Sequence, residues 1–170
     1  MKSSKNIVFL GMMGSGKSSI GFLVSKELKL DFYDVDTCIE NKLNMKISNI
    51  FKTKGEKFFR EFEEKITLDI LKKKGIVVAL GGGAFINKNI RKEILKNHQS
   101  FWLKLNSEIL IKRIKTSIKR PLAYNISNTD LKNMIKDRTK YYEKALFKIN
   151  CDNLTKKDIT NKILDIYETN

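Results

Sequence analysis

Residues 7–19 read IVFLGMMGSGKSS, a short apolar run followed by a glycine-rich loop and a lysine-serine pair. The segment from Gly11 to Ser18 matches the pattern GxxxxGK[ST] in full. In this pattern, backbone N–H groups surround a phosphate chain at a helix N-terminus, while the lysine reaches the terminal phosphates and the hydroxyl binds magnesium. We therefore expect a nucleoside triphosphate to contact Gly14, Ser15, Gly16, Lys17, Ser18 and Ser19.

The rest of the chain predicts strands that alternate with helices. Strands are predicted at 6–10, 31–34, 76–80, 100–105 and 147–150, and helices at 17–28, 36–43, 47–54, 56–73, 88–96, 107–115, 130–145 and 156–167. This alternation predicts a three-layer α/β fold, in which a five-stranded parallel sheet carries helices on both faces. We find no repeat or linker, so 1–170 is expected to be a single domain.

Composition excludes several classes of function. The single histidine, His98, excludes a histidine-clustered zinc site and a Ser-His-Asp triad, and the two cysteines, Cys38 and Cys151, are too few for a disulfide framework. No apolar run approaches the ~18 residues of a membrane span, and we expect a cytoplasmic protein without a membrane partner. The net charge of +15 suggests nucleic acid, but the lysines are spread along the chain without interleaved aromatics, so we expect no nucleic-acid partner.

Arginine is rare among the 34 basic residues. In a chain that uses lysine almost everywhere, an arginine indicates a place where a planar, bidentate group is needed for a carboxylate or a phosphate. Structural ion pairs are the alternative for some of them. The five positions are Arg60, Arg91, Arg113, Arg120 and Arg138.

Three polar segments follow three predicted strands, namely the phosphate-binding loop, Asp34-Val35-Asp36 and Gly81-Gly82-Gly83. Ligands of parallel sheets bind beyond the carboxyl ends of the strands, so the segments should meet in one crevice. Asp34 and Asp36 are two residues apart, which lets one serve a metal ion and the other receive a hydroxyl proton. The alternative for Asp36 is that it only caps the following helix.

The remaining candidates also have two interpretations. The glycine triplet exposes amides that suit an oxyanion or a hydroxyl, or it is only a tight turn. Arg60 binds an anion, or it is a surface arginine paired with Glu63 or Glu64. Arg120 lies in an irregular stretch, 116–128, that predicts a mobile lid over the transferred phosphoryl group, and Arg138 on the next helix can direct a second guanidinium at an anion.

Other P-loop classes fit less well. A switch GTPase needs DxxG, which the chain lacks; Thr155-Lys156-Lys157-Asp158 matches the guanine motif [NT]KxD, but we interpret it as the cap of the last helix. A motor or helicase ATPase needs an apolar strand that ends in aspartate, whereas 76–80 is followed by glycine. These absences favour a kinase.

Taken together, the motifs resemble the shikimate kinase family nearly from end to end. The resemblance is carried by the phosphate-binding loop, Asp34-Val35-Asp36, Gly55-Glu56-x-x-Phe59-Arg60-x-x-Glu63, the glycine triplet, Asn89-x-Arg91, Arg113, Arg120-Pro121-Leu122 and Arg138-x-x-x-Tyr142. It implies ATP-dependent phosphorylation of the 3-hydroxyl of shikimate, in the route to chorismate and the aromatic amino acids, on a nucleoside-monophosphate-kinase-like fold.

The resemblance also implies a role for each site residue. Asp36 would hold the acceptor hydroxyls, Arg60 and Arg138 would bind the carboxylate with the amides of Gly81, Gly82 and Gly83, and Glu63 would orient Arg60. Ser18 and, through water, Asp34 would support Mg2+, and Lys17 and Arg120 would stabilise the transferred group. Arg113 would lie near the adenine, with the loop at 152–155 beside it. The amides of Met12 and Met13, not their side chains, are expected to matter.

Two rival functions stay open at this point. A gluconate kinase shares the loop and the architecture, although two arginines with a glycine triplet favour a cyclic carboxylate. A nucleic-acid-stimulated ATPase is suggested only by the net charge. We expect a monomer with a substrate-binding segment at about 36–63 and a lid at about 116–128.

Overall fold

In the computed structural model, which describes residues 5–117 and 126–169, five parallel strands form one sheet. The strands run in the order β2-β3-β1-β4-β5. Their bounds are Ile7–Leu10 (β1), Asp31–Asp34 (β2), Ile76–Ala79 (β3), Gln99–Lys104 (β4) and Phe147–Asn150 (β5). The predicted five-stranded parallel sheet is confirmed.

Seven α-helices occur in the described ranges, together with a short 3₁₀ turn at Ala84–Ile86. The helices are Lys17–Leu28 (α1), Val35–Leu43 (α2), Ile47–Leu71 (α3), Lys88–Asn97 (α4), Ser107–Lys115 (α5), Asn128–Tyr142 (α6) and Lys156–Thr169 (α7). Helix α1 packs on α7, α3 packs on α4, and α5 packs on α6. No helix within these ranges combines the length and the apolarity that a membrane span needs.

The central strand β1 is the most deeply buried element. All four of its side chains are at most 1% exposed, and β3 and β4 pair with its two edges. The register aligns Phe9 of β1 and Asp34 of β2 with the same residue of β3, Ala79. The chain segments that follow β1, β2 and β3 therefore leave the sheet side by side.

Two helix starts differ from the prediction, and both differences come from capping. Helix α2 begins at Val35, and the carboxylate of Asp34 accepts a hydrogen bond of 3.2 Å from Thr37 N. The alternative that Asp36 caps this helix is therefore wrong. Helix α6 begins at Asn128, because Ser127 caps it, and it ends at Tyr142 instead of continuing to 145.

Helix α3 is interrupted at Gly55, where the two predicted helices meet. Gly55 has φ 81° and ψ 169°, a conformation that is essentially restricted to glycine. The break changes the direction of helix α3. The part before Gly55 packs near α2, and the part after it carries Arg60 and Glu63.

We predict that Gly55→Ala lowers the free energy of unfolding by about 1–3 kcal/mol, because alanine is strained in this conformation. No atom lies within 4 Å of the added Cβ, so the effect isolates backbone strain from steric overlap. Urea unfolding measures it, with Lys52→Ala on the same helix as a control that should stay within 0.5 kcal/mol or so. Equal stability of the alanine variant and the wild type would contradict the prediction.

Candidate active site

The phosphate-binding loop wraps around the side chain of its own lysine. Lys17 Nζ donates hydrogen bonds to the carbonyl oxygens of Gly11 (2.9 Å) and Met12 (3.0 Å), and the residue is only 7% exposed. Gly14 and Gly16 have φ of 83° and 98°, which favours glycine at both positions. The loop therefore holds a buried ammonium group at the start of α1, a position that favours an anion.

A hydroxyl and a carboxylate that could bind a metal ion lie next to each other beside this loop. The exposed Ser18 hydroxyl donates a hydrogen bond to Asp34 Oδ2, which joins the start of α1 to the end of β2. Ser19 is exposed next to it, whereas the Ser15 hydroxyl is buried and has no hydrogen-bond partner in the described part of the chain. Within that part, no three His, Cys, Asp or Glu side chains cluster around a metal position. A hydroxyl and a carboxylate fit Mg2+, which uses few protein ligands and keeps several waters.

The glycine triplet lies where two carboxylates and a guanidinium group come together. A methyl group added to Gly81 would lie 2.7 Å from Glu63 Oε1 and 2.8 Å from Asp36 Oδ1. A methyl group on Gly83 would lie 2.7 Å from Arg60 Nη1. Contacts this short leave no room for a side chain at either position.

Gly82, the middle glycine, lies close to both the phosphate-binding loop and α6. A methyl group on Gly82 would lie 3.2 Å from the backbone nitrogen of Met13 and 3.3 Å from Arg138 Nη1. None of the three glycines has a positive φ. The triplet is therefore glycine because charged side chains approach its backbone closely, and not because the backbone is left-handed.

The carbonyls of the triplet are engaged, and its amides are open. Gly81 O accepts a hydrogen bond from Ala84 N (3.1 Å), Gly83 O accepts one from Ile86 N (3.1 Å), and Gly82 O accepts one from the Tyr142 hydroxyl. The N–H groups of the three glycines donate to no residue in the described ranges. The segment is thus a turn, and it also presents the free donors that the sequence predicts for an anion or a hydroxyl.

Arg60 forms an ion pair with a buried partner. Its Nη1 lies 2.7 Å from Glu63 Oε2, and the Glu63 side chain is 3% exposed. The pKa of Glu63 lies above its ordinary value, because burial raises it more than Arg60 lowers it. The nearby Asp36 raises it further. Glu64 accepts hydrogen bonds from the side-chain amides of Asn87 and Asn89 instead. The predicted pairing of Arg60 with Glu63 is therefore confirmed, and it holds the partly exposed guanidinium group beside the triplet.

The other arginines differ in position. Arg113 donates a hydrogen bond of 3.2 Å to Gly14 O and so contacts the phosphate-binding loop. Arg91 donates to the carbonyls of Phe85 and Ile86 and stacks on a tyrosine ring, which is a structural role. Arg120 and most of the predicted lid, 116–128, lie outside the described residues, so their part stays a prediction.

Two side chains near the site received no role from the sequence. Tyr142 holds Gly82 and lies one helical turn after Arg138, so the i, i+4 spacing was the available signal. Met12 is 2% exposed, and its Sδ lies 3.8 Å from Arg138 Nη1. The expectation that only the amide of Met12 matters is thus wrong, since its side chain supports an arginine of the site.

The guanine-type motif is a helix cap. Thr155 N and Oγ1 donate to the carboxylate of Asp158, and Asp158 N donates to Thr155 Oγ1. Asp152, just before it, accepts a hydrogen bond of 2.8 Å from Asn106 N and joins the loop after β5 to the loop after β4. The predicted capping role of Thr155 is confirmed.

A phosphate-binding loop on the central strand, beside arginines that converge on a glycine turn, defines a P-loop kinase acting on a small anionic molecule. A shikimate kinase family model matches residues 13–168. The chain is 39% identical over 166 residues to shikimate kinase of Thermodesulfovibrio yellowstonii, covering 96% of this chain and 95% of that one. It is also 39% identical to the Bacillus subtilis enzyme, covering 95% and 88% of the two chains.

Solved structures agree with the sequence relatives. Shikimate kinase from Acinetobacter baumannii, in complex with shikimate, matches with a TM-score of 0.92 at 28% identity, covering 99% of this chain and 95% of that one. The chain belongs to the shikimate kinase family. It is an ATP-dependent kinase that phosphorylates an alcohol group of shikimate in the route to the aromatic amino acids, as its motifs predict.

We predict that Gly81→Ala lowers kcat/KM about 100-fold, because the added methyl group displaces the carboxylates of Asp36 and Glu63 from the site. Steady-state kinetics with ATP and shikimate measure the effect. Gly75→Ala is the control for backbone strain away from the site: Gly75 has φ 66° at the opposite end of β3, with no atom within 4 Å of the added Cβ, so alanine there should lower stability but leave kcat/KM near the wild-type value. Equal loss of activity in both variants would refute the proposed crowding around Gly81.

Proposed function

We propose that Asp36 orients the 3-hydroxyl of shikimate and accepts its proton as the phosphoryl group of ATP is transferred. One observation carries this proposal: Asp36, Arg60 and Arg138 converge on a glycine turn that also contacts the phosphate-binding loop at Met13. Acceptor and donor are thereby bound next to each other. Proton transfer to an aspartate is the usual arrangement in phosphoryl transfer to a hydroxyl.

Arg60 and Arg138 bind the shikimate carboxylate in this proposal. They approach the triplet from two elements, α3 and α6, at Gly83 and Gly82 respectively. A guanidinium group forms two parallel hydrogen bonds with a carboxylate, which fixes both the position and the rotation of a ring substrate. The open amides of Gly81, Gly82 and Gly83 supply further donors, and the segment 36–63 contributes most of this half of the site.

The donor half of the site binds the phosphates of ATP. The loop amides and Lys17 surround the phosphate chain, and Arg113 lies against the loop at Gly14. Ser18 and Asp34 would hold Mg2+, which when bound neutralises charge on the phosphates. The contribution proposed for Arg120 rests on the family resemblance.

One set of charged groups in the site acts on the transferred phosphoryl group, and another acts on the acceptor. Lys17 and the loop amides stabilise negative charge on the transferred group, while Asp36 is on the acceptor side and accepts the proton that the hydroxyl loses. Glu63 compensates the charge of Arg60 without reaching the substrate, since it is buried behind the arginine. The two arginines thus bind the carboxylate, and Asp36 faces the acceptor hydroxyl.

We propose that the enzyme acts as a monomer in the cytoplasm, as a single kinase domain over 1–170. All described groups of the site come from one chain, and its two cysteines are free thiols. ATP as a substrate and free cysteines are typical of a reducing, intracellular compartment.

A coupled assay of ADP release tests the proposed substrate directly. We expect turnover with shikimate and none above background with gluconate or a nucleoside monophosphate at equal concentration. The phosphorylated position of the product, read by nuclear magnetic resonance, should be the 3-hydroxyl. Turnover that prefers gluconate, or ATP hydrolysis stimulated by RNA and indifferent to shikimate, would contradict the proposal.

We predict that Asp36→Asn lowers kcat by about 10²–10⁴-fold, because an amide of the same size cannot accept the hydroxyl proton. The KM for ATP should stay within about twofold, since the loop contacts are preserved. Asp31→Asn at the amino end of β2, the strand that precedes α2, is the control and should keep wild-type kinetics. An equal loss of ATP affinity in Asp36→Asn would argue against its role on the acceptor side.

We predict that Arg60→Lys and Arg138→Lys each raise the KM for shikimate about tenfold or more, because lysine cannot form the bidentate contact with a carboxylate. The KM for ATP should change little in either variant. Arg91→Lys is the control, since Arg91 bonds only main-chain carbonyls in the described part of the chain. A shikimate KM that is unchanged would remove that arginine from the substrate site.

A further inference from the structure

Tyr142 is the last residue of α6 and is almost fully buried. It is 2% exposed, and its ring lies 6.0 Å from that of Trp102 on β4. Its hydroxyl crosses from α6 to the turn after β3 and donates a hydrogen bond to Gly82 O. A buried tyrosine needs a partner for its hydroxyl, and the glycine triplet provides it.

The carbonyl that Tyr142 holds belongs to a peptide group with little restraint of its own. The Gly82–Gly83 peptide is flanked by two glycines, so no Cβ on either side opposes its rotation. The neighbouring carbonyls of Gly81 and Gly83 are fixed by the turn itself, through Ala84 N and Ile86 N. Among the described residues, only the Tyr142 hydroxyl bonds Gly82 O.

Rotation of this peptide would affect both substrate-binding features of the triplet. The Gly83 N–H is in the same plane as Gly82 O and points in the opposite direction, so the hydrogen bond to the carbonyl sets the direction of the amide. The guanidinium group of Arg60 lies against the Gly83 Cα. A misplaced Gly82–Gly83 peptide therefore moves an open donor and the surface on which Arg60 rests.

The same tyrosine also contacts the second arginine of the site. Arg138 is one helical turn earlier on α6, and both side chains reach Gly82. Burial raises the pKa of Tyr142 to about 12, and Arg138 lowers it in part. The hydroxyl therefore stays protonated at physiological pH and remains a permanent donor to Gly82 O.

We propose that Tyr142 is a positioning residue for shikimate: its hydroxyl fixes the Gly82–Gly83 peptide so that the Gly83 amide and Arg138 face the substrate together. The inference rests on the proposed roles of the triplet and Arg138 in binding the acceptor. In this proposal Tyr142 contacts neither substrate and acts only through the orientation of the Gly82–Gly83 peptide group.

Tyr142→Phe tests the inference, because it removes the hydroxyl and keeps the buried ring. We expect the KM for shikimate to rise about five- to tenfold, the usual effect of one lost neutral hydrogen bond, with the KM for ATP unchanged. Tyr141→Phe is the matched control: Tyr141 is the preceding residue, and its ring stacks under Arg91 outside the site. It should keep both KM values.

Two results would overturn the inference. One is a wild-type shikimate KM in Tyr142→Phe, and the other is an equal rise of both KM values, which indicates a general structural defect. If Arg138→Lys raises the shikimate KM and Tyr142→Phe does not, the inference about Tyr142 is wrong and the proposed acceptor site stands. If neither variant raises the shikimate KM, both the inference and the proposed acceptor site are wrong.

A second measurement uses the wild-type enzyme and does not depend on how the variant folds. The chain has nine glycines, so a spectrum of protein labelled with ¹⁵N-glycine is simple to assign. We expect the Gly83 amide to show no exchange broadening on the microsecond to millisecond timescale, as a fixed peptide requires. Broadening of this signal in the wild type would show a mobile peptide and would overturn the inference.

Discussion

The close approach of charged side chains to a bare backbone is the constraint on which the site depends. Asp36, Glu63, Arg60 and Arg138 can meet at 81–83 only because three successive residues have no Cβ. Carboxylates and guanidinium groups at this distance compensate each other, which permits Glu63 to be buried almost completely. The glycine turn is thus the centre around which α2, α3 and α6 place their functional groups.

The parallel sheet brings these groups to the phosphate-binding loop. β3 lies between β2 and β1, so the segment that carries Asp36 and the loop that carries Lys17 flank the glycine turn on its two sides. β1 has a parallel neighbour on each edge, and its four apolar side chains, which point to the two faces of the sheet, are buried. Neighbouring strand ends therefore become neighbouring donor and acceptor sites without any long loop to connect them.

The sequence was sufficient for the elements and for the residue types of the site. The phosphate-binding loop, the two helices on either side of Gly55 and the five strands follow from apolar spacing and glycine positions, which are local features. What it could not provide were contacts between distant elements. The cap of α2 depends on a one-residue choice of helix start, Asp34 rather than Asp36. The contact of Met12 with Arg138 spans 126 positions. The place of Glu63 beside Gly81 likewise depends on packing between separate elements.

Gly75 and Gly81 are glycine for different physical reasons, and the difference decides which substitutions each position tolerates. Gly75 has φ 66° and open space around it, so asparagine, which tolerates a left-handed backbone, is a tolerated replacement at this position. Gly81 has an ordinary backbone but no free volume, so each of the other nineteen residues introduces the same first carbon atom into the same two carboxylates. A substitution at Gly81 therefore displaces Asp36 and Glu63 together, and no side chain is small enough to avoid this.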